Sequence, residues 1–224
     1  GVDDDKMKLV FDELYKPFNR KTNKIVYMSI KSAELTKYAS NALLATKISF
    51  MNEVSLLADK LDVDIDEVRN GVGLDKRIGP EFLYPGCGYG GSCFPKDINA
   101  LKSMFKSSKI ESLLLNAVHS VNENQKIYLI RKITKHFRGD LKNIIIAVWG
   151  LTFKPKTDDT RFAPSIDMIH ALIKKGATIQ AYDPVGTLKH LFNKKNYVEY
   201  NTATDALKNS SALVICTEWK EFWS

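Results

Sequence analysis

Hydrophobic residues recur every three or four positions through the first part of the chain, which predicts amphipathic helices. The first such stretch runs from Gly1 to Asn19, and the short run Lys24–Met28 after it reads as a strand. A longer stretch without glycine or proline extends from Ser32 to Leu61. It predicts a helix of roughly 45 Å at 1.5 Å per residue, with Ser32 as its N-cap.

Three more helices are expected before residue 140. Asp64 predicts the start of a short helix that ends near Gly71, and another should begin near Asp97, just past Pro95, with Asp97 as a candidate N-cap. The third, Ser112–Arg138, is again long. Its predicted inward positions are Leu113, Ala117, Val121, Tyr128, Ile133 and Phe137.

From residue 143 the pattern changes to short apolar runs that alternate with helical stretches. The predicted strands are 144–150, 178–184, 196–200 and 211–217, with helices at Pro164–Lys175 and Thr187–Lys194. Such alternation favours right-handed crossovers and a parallel sheet. The predicted fold class is therefore α + α/β, with an all-helical central domain at 29–139 followed by a Rossmann-like parallel α/β domain at 140–224.

Composition narrows the classes of function. The net charge is +7, but only six of the 33 basic residues are arginine and the lysines are scattered, which disfavours a nucleic-acid-binding protein. The three cysteines include no CxxC pair, and no apolar run is long enough to span a membrane. We therefore expect free thiols, a cytoplasmic location and a surface that attracts small anions.

Two motifs are rejected on their context. Gly86, Gly88 and Gly91 match the dinucleotide pattern GxGxxG, but no strand precedes them and Pro95 blocks a helix from starting inside the pattern. The acidic run 62–66 resembles a calcium loop but lacks its glycine and its final glutamate. We expect no metal site.

Cys93 is the strongest candidate for chemistry. It lies in a loop rich in glycine, where a ligand could approach the backbone, and it precedes a predicted helix whose positive end, with Lys96, favours a thiolate. Lys37 and Asn41 lie one helical turn apart on the long helix. If that face is buried, both need polar partners.

Four stretches in this order, ELTKYASN, LDKRIGPEFLYPG, GYGGSCFPKD and GLTFKPKTDDTR, resemble the UDP-glucose dehydrogenase family of nucleotide-sugar 6-dehydrogenases. The resemblance covers nearly the whole chain. It implies that residues 1–28 are the end of an N-terminal NAD-binding domain and that residues 140–224 are an incomplete UDP-sugar-binding domain. Both ends of the chain look cut. Because the NAD fingerprint of the family's N-terminal domain is missing here, we expect no turnover from this chain alone.

The resemblance also implies roles for single residues. Cys93 would attack the aldehyde from a first oxidation, and a second NAD would oxidise the adduct to a thioester that water hydrolyses. Lys37 would stabilise the developing oxyanion, Asn41 would hold that oxygen or the attacking water, and Asp97 would order the water or accept its proton. The implied substrate-binding residues are Tyr84, Gly88, Tyr89, Gly90, Arg77, Phe153 and Lys154. The implied NAD contacts are Lys96 and Arg161, and Arg77 would reach the neighbouring subunit of a homodimer formed through the central helices.

Two alternatives stay open. The substrate could be GDP-mannose or a UDP-N-acetylhexosamine, since dehydrogenases for these sugars share the architecture and the cysteine. The chain could also serve only as a dimerisation and UDP-binding module without catalysis.

Overall fold

The computed structural model describes residues 1–19 and 24–223. At the N-terminus, α1 (Asp5–Tyr15) begins after Asp4, whose side chain accepts the Lys6 N–H at 2.9 Å, and a 3-10 turn (Lys16–Phe18) follows. The predicted strand at Lys24–Met28 is wrong: none of these residues is in a strand. A β-run forms only where a neighbouring strand can pair with it.

The long helix α2 (Ile30–Leu61) has 32 residues and is thus about 48 Å long. It begins three residues earlier than predicted, because Ser29 rather than Ser32 is its N-cap and accepts the Ser32 N–H at 3.1 Å. A short helix, α3 (Ile65–Gly73), follows with Asp64 as its N-cap, as expected. Helix α2 packs against both α4 (Phe94–Ser107) and α5 (Leu113–His136).

Two details of these helices differ from the sequence prediction. Helix α4 starts at Phe94 rather than near Asp97, because Pro95 is tolerated in a first turn, where its missing N–H has no helical partner to lose. In α5, Leu113 and Ala117 are exposed rather than inward. The buried face of α5 consists instead of Leu115, Val118, Asn122, Gln125 and Ile130.

The C-terminal part contains a parallel sheet in the order β3-β2-β1-β4. Its strands are β1 (Ile145–Trp149), β2 (Thr178–Tyr182), β3 (Tyr197–Glu199) and β4 (Ala212–Ile215), with the helices α6 (Pro164–Lys174) and α7 (Ala203–Leu207). Helix α7 was not predicted. The predicted fold class, a helical unit followed by a parallel α/β unit, is confirmed.

The predicted helix at Thr187–Lys194 is wrong, since this stretch consists of turns and irregular backbone. Carboxylates bind backbone donors at its start instead: Asp183 accepts the N–H of Gly186, just before the stretch, at 2.7 Å, and Glu199 accepts the N–H of Leu188 at 2.7 Å. Side chains that satisfy backbone donors in this way compete with helix formation.

The main apolar core lies between the sheet and its helices, with Ile146, Val148, Met168, Leu172 and Ile179 fully buried. Ile130, from the second half of α5, belongs to the same cluster, so α5 joins the helical unit to the α/β unit. Among the described helices, none has both the length and the apolar character needed to cross a bilayer.

Candidate active site

Cys93 lies at the N-terminal end of α4, where it is the N-cap residue and is exposed. Its carbonyl accepts the N–H of Asp97 at 2.8 Å, the first hydrogen bond of the helix, and its sulfur lies 3.8 Å from the Ser92 hydroxyl oxygen. Asp97 is therefore in the first turn and is not the N-cap. The thiol is accessible to a ligand at the positive end of the helix dipole.

A buried carboxylate lies one turn into the same helix. Asp97 is only 2% exposed. The Lys96 ammonium lies 2.5 Å from one carboxylate oxygen, and the Asn41 amide donates to the other at 2.5 Å. The Lys37 ammonium is 3.8 Å from that second oxygen. The fold thus brings the α2 residues Lys37 and Asn41 to the α4 residues Lys96 and Asp97, and we call these four residues the Asp97 cluster.

The charge state of Asp97 follows from these contacts. Burial alone would raise the pKa of its carboxyl, but the hydrogen bonds from Lys96 and Asn41 and the charges of Lys96 and Lys37 outweigh burial, so its pKa is lowered. The hydrogen bond to Asp97 raises the pKa of Lys96, and Cys93 adds a smaller contribution in the same direction. The cluster therefore holds a carboxylate and ammonium groups beside the thiol.

A loop of the α/β unit, residues 151–163, closes over the cysteine loop. The Gly91 N–H donates to the Arg161 carbonyl at 2.9 Å. A Cβ on Gly90 would collide with the Phe162 carbonyl oxygen, and a Cβ on Gly91, which has φ +79°, would lie 2.7 Å from the Phe153 ring. These two glycines let the backbones of the two units meet.

Further residues implied by the resemblance flank this contact. The half-buried Phe153 packs on Gly91, and the Lys154 ammonium lies 5.3 Å from the centre of the Phe153 ring. Arg161 is paired with Asp159 at 2.7 Å, and Cys93 contributes to the raised pKa of its guanidinium, after the larger effect of Asp159. The loop thus places the Arg161 guanidinium close enough to Cys93 for the two to interact electrostatically.

The other implied residues make their contacts elsewhere. The Tyr89 side chain is 7% exposed and packs on the Phe94 ring at 5.6 Å between centroids, so only its backbone belongs to the loop surface. Tyr84 is half exposed beneath the Arg69 guanidinium, 5.2 Å away. Arg77 is exposed and paired with its neighbour Asp75 at 2.6 Å.

Sequence reasoning missed three buried amide side chains that hold the glycine loop: Asn52, Asn122 and Gln125. Their only signal in the sequence is polarity at positions that the helical period can place inward. It also missed Asp183, which follows β2 and accepts the backbone N–H groups of Leu151 and Thr152 at 2.7 and 3.2 Å. That carboxylate fixes the start of the loop that carries Phe153.

Neither a metal cluster nor a dinucleotide turn is found in the described part of the chain. No group of three or more His, Cys, Asp or Glu side chains could hold a metal ion there. The connection from β1 to α6, residues 150–163, contains a single glycine, Gly150, rather than a glycine-rich turn, and turns rather than a strand precede the glycine loop. The described residues therefore do not fit a complete NAD site.

Comparison with known proteins decides the family. The family model described as "UDP-glucose/GDP-mannose dehydrogenase family, central domain" matches residues 31–124, and the model of the UDP binding domain of the same family matches residues 147–224. The chain belongs to this family. Its helical unit corresponds to the family's central domain, and its α/β unit to the UDP binding domain.

Relatives in bacteria carry one name. The chain is 43% identical over 216 residues to a UDP-glucose 6-dehydrogenase of Pseudomonas aeruginosa, covering 94% of this chain and 48% of the relative. It is 45% identical over 224 residues to UDP-glucose 6-dehydrogenase YwqF of Bacillus subtilis, covering 99% and 50%. The chain thus spans about half the length of the curated relatives it matches.

Solved structures agree on the fold. A UDP-glucose dehydrogenase from Pyrobaculum islandicum matches with a TM-score of 0.91 and 36% identity, covering 99% of this chain and 51% of that one. A UDP-D-ManNAc dehydrogenase from Pyrococcus horikoshii matches with a TM-score of 0.81 and 26% identity, covering 98% and 49%.

Proposed function

We propose that the complete protein is an NAD-dependent UDP-glucose 6-dehydrogenase that oxidises C6 of UDP-glucose by four electrons to UDP-glucuronate. In this proposal the chain supplies the covalent nucleophile, Cys93. The observation that carries the proposal is an exposed cysteine at a helix start beside the Asp97 cluster. It occurs in a chain 39–45% identical to relatives named UDP-glucose 6-dehydrogenase.

The first role of the site is addition to an aldehyde at C6. The Cys93 thiolate forms a carbon–sulfur bond, and the carbonyl π electrons move to oxygen, which gives a thiohemiacetal anion. Asn41 uses one amide N–H for Asp97, and an amide has a second that can donate to the new oxyanion. Lys37 is 63% exposed at its side chain, so its ammonium can turn toward the same oxygen.

The second role is hydrolysis of the thioester. Water adds to the acyl carbon and gives up a proton to the solvent, the carbon–sulfur bond breaks, and the Cys93 thiolate leaves with the carboxylic acid as the other product. Asp97 has a lowered pKa and is held by Lys96 and Asn41, which makes its carboxylate a weak proton acceptor. We therefore assign Asp97 to orienting the water and its neighbouring cations rather than to removing the proton.

NAD is the oxidant that the resemblance implies, and we assign no hydride-transfer step to this chain. We propose that a domain outside the chain binds most of the cofactor. Lys96 and Arg161, the cations beside Cys93, would contact its negatively charged groups.

The nucleotide sugar is proposed to bind across the contact between the two units. Lys154 would pair with a phosphate, and Phe153 would pack on the sugar nucleotide. Tyr84 and the backbone of residues 88–90 would line the diphosphate and sugar. The match of residues 147–224 to the UDP binding domain supports this placement.

We also propose a homodimer through the central helices. Helix α2 exposes a stripe of apolar side chains at Leu35, Leu43, Phe50, Leu57 and Leu61. Arg77 would extend into the partner's site. Sedimentation of the chain should give a dimer, and Leu43→Glu with Leu57→Glu should give a monomer.

A cytoplasmic location is part of the proposal, since all three cysteines are free thiols.

The test of the main proposal uses the full-length protein with NAD. NADH formation is measured with UDP-glucose, GDP-mannose and UDP-N-acetylhexosamines, and we expect UDP-glucose to have the highest kcat/KM. A clear preference for another sugar would overturn the substrate assignment. Cys93→Ser should fold and stall before glucuronate is released, and near wild-type glucuronate production by this variant would overturn the covalent mechanism.

The chain by itself is expected to behave as a dimerisation and UDP-binding module, because the described residues do not fit a complete NAD site. Calorimetry should show weak binding of UDP-glucose to the 224-residue chain, and NAD should not be reduced. Measurable turnover by this chain would refute the expectation.

A further inference from the structure

The backbone of the glycine loop is held by three buried amides that no catalytic role explains. Asn52 of α2 is 0% exposed, and Asn122 and Gln125 of α5 are 2% and 6% exposed. Because Asn122 and Gln125 are three residues apart, they lie on the same face of α5. We call these three side chains the amide clamp.

The clamp satisfies four backbone groups of two residues. The Asn52 amide oxygen accepts the Gly86 N–H at 2.8 Å, and the Gln125 amide donates to the Gly86 carbonyl at 2.8 Å. Asn122 accepts the Tyr89 N–H at 2.8 Å and donates to the Tyr89 carbonyl at 3.2 Å. Only a side chain with both a donor and an acceptor can bind one residue in this two-sided way.

The chemistry of the clamp favours positioning over stability. Asn52 Nδ2 and Gln125 Oε1 are buried and have no hydrogen-bond partner within the described residues. Unpaired buried polar atoms lower the stability of the folded state. If these helix positions served stability alone, leucine in an apolar contact would serve as well. What the amides add is hydrogen bonds that fix the position of the loop backbone.

The held backbone leads directly to the nucleophile. Gly88 has φ +102°, and a Cβ there would lie 3.1 Å from the Asn122 amide oxygen, so the loop rests on the amide itself. Two residues beyond Tyr89, the Gly91 N–H is bound by the α/β unit, and Cys93 follows at the start of α4. The loop is thus fixed from the helical side and from the α/β side before it reaches the thiol.

We propose that Asn122 is a positioning residue for Cys93: through the amide clamp it sets the distance of the thiol from the Asp97 cluster and from the bound sugar. This inference rests on the proposed function, because it assumes that Cys93 reacts with the substrate. Displacement of a reacting group by about 1 Å can lower a rate by about a hundredfold.

The experiment compares Asn122→Leu and Asn122→Asp with Asn124→Leu and Asn124→Asp in the full-length protein. Asn124 is exposed on the same helix and is the matched control. Four quantities are measured: kcat for UDP-glucose per reactive Cys93 thiol, KM for UDP-glucose, the rate of Cys93 alkylation by iodoacetamide without substrate, and the thermal midpoint. The alkylation rate reports the placement of the thiol even if the sugar is wrongly assigned.

We expect Asn122→Leu to lower kcat per thiol about tenfold or more, with KM changed less than kcat, and to change the alkylation rate. Asn122→Asp keeps the acceptor for the Tyr89 N–H but turns a carboxylate oxygen toward the Tyr89 carbonyl, so it should also lower kcat per thiol. If the leucine variant does not fold, this variant decides. The Asn124 variants should match wild type.

The clamp proposal is overturned if the Asn122 variants lower only the thermal midpoint while kcat per thiol and the alkylation rate equal those of the Asn124 controls. A wild-type protein that oxidises no UDP-glucose would instead refute the proposed function. The alkylation comparison would then still test the clamp.

Discussion

Replacing Asn41 by leucine tests the energetics of the Asp97 cluster. The substitution nearly preserves volume and removes the buried amide that donates to Asp97 at 2.5 Å. A hydrogen bond to a charged group contributes about 1.5–3 kcal/mol. The Lys37 and Lys96 side chains, by contrast, are 63% and 67% exposed, so solvent screens their attraction for the carboxylate. Asn41 should therefore supply most of the stabilisation.

The assay is urea unfolding of the 224-residue chain at neutral pH. Far-ultraviolet circular dichroism reports mainly the long helices, whereas the three tryptophans, Trp149, Trp219 and Trp223, all lie in the α/β unit. We expect Asn41→Leu to lower the free energy of unfolding from the helical signal by about 1.5–3 kcal/mol, and Lys37→Met to lower it less. A change for Asn41→Leu below about 0.5 kcal/mol, the range of ordinary surface substitutions, would refute this reasoning.

The difference in unfolding free energy between wild type and Asn41→Leu should depend on pH. The pKa of Asp97 is lowered from 3.8 in the folded state, so its stabilisation is present above pH 3.8 and is lost as the pH falls through the folded pKa. Asn41→Leu removes one cause of the lowering. The advantage of wild type over the variant should therefore shrink when unfolding is repeated below pH 3.8, and an advantage that grew in acid would contradict the assigned cause.

Other expectations concern the cysteine loop. Iodoacetamide should label Cys93 before Cys87 and Cys216 in peptide mass spectrometry, since Cys87 is buried and the pKa of Cys216 is raised by its hydrogen bond with Cys87 and by burial; equal labelling would argue against this. Gly90→Ala should destabilise the protein by about 1–3 kcal/mol, because its methyl group would meet a carbonyl oxygen of the α/β unit. Gly71→Ala, in a helix with no atom within 4 Å of the new Cβ, is the control and should stabilise by about 0.5–1 kcal/mol. Thermal unfolding of both glycine variants checks the pair.

The sequence by itself determined the fold class and the location of the candidate site, the loop around Cys93. The change from helical to strand-like spacing near residue 143 is a local property, because helices and buried strands need different hydrophobic periods. Four glycines between residues 86 and 91, a cysteine and Pro95 made the loop around Cys93 conspicuous. Lys37 and Asn41 also stood out as a polar pair on the long helix.

The tertiary structure decided what local patterns left open. The buried face of α5 was misread because two of its members, Asn122 and Gln125, are polar, and only packing against the glycine loop gives these amides partners. Asp97 looked like a helix cap in the sequence, yet the long helix supplies the amide that makes it a buried hydrogen-bonded carboxylate. Lys24–Met28 and Thr187–Lys194 have strand and helix propensity, but the first is not in a strand among the described residues. In the second, the Leu188 N–H is bound by Glu199. The spacing of hydrophobic and polar residues determines which side chains lie on each face of a segment. Which partners those side chains find depends on contacts between residues distant in the chain.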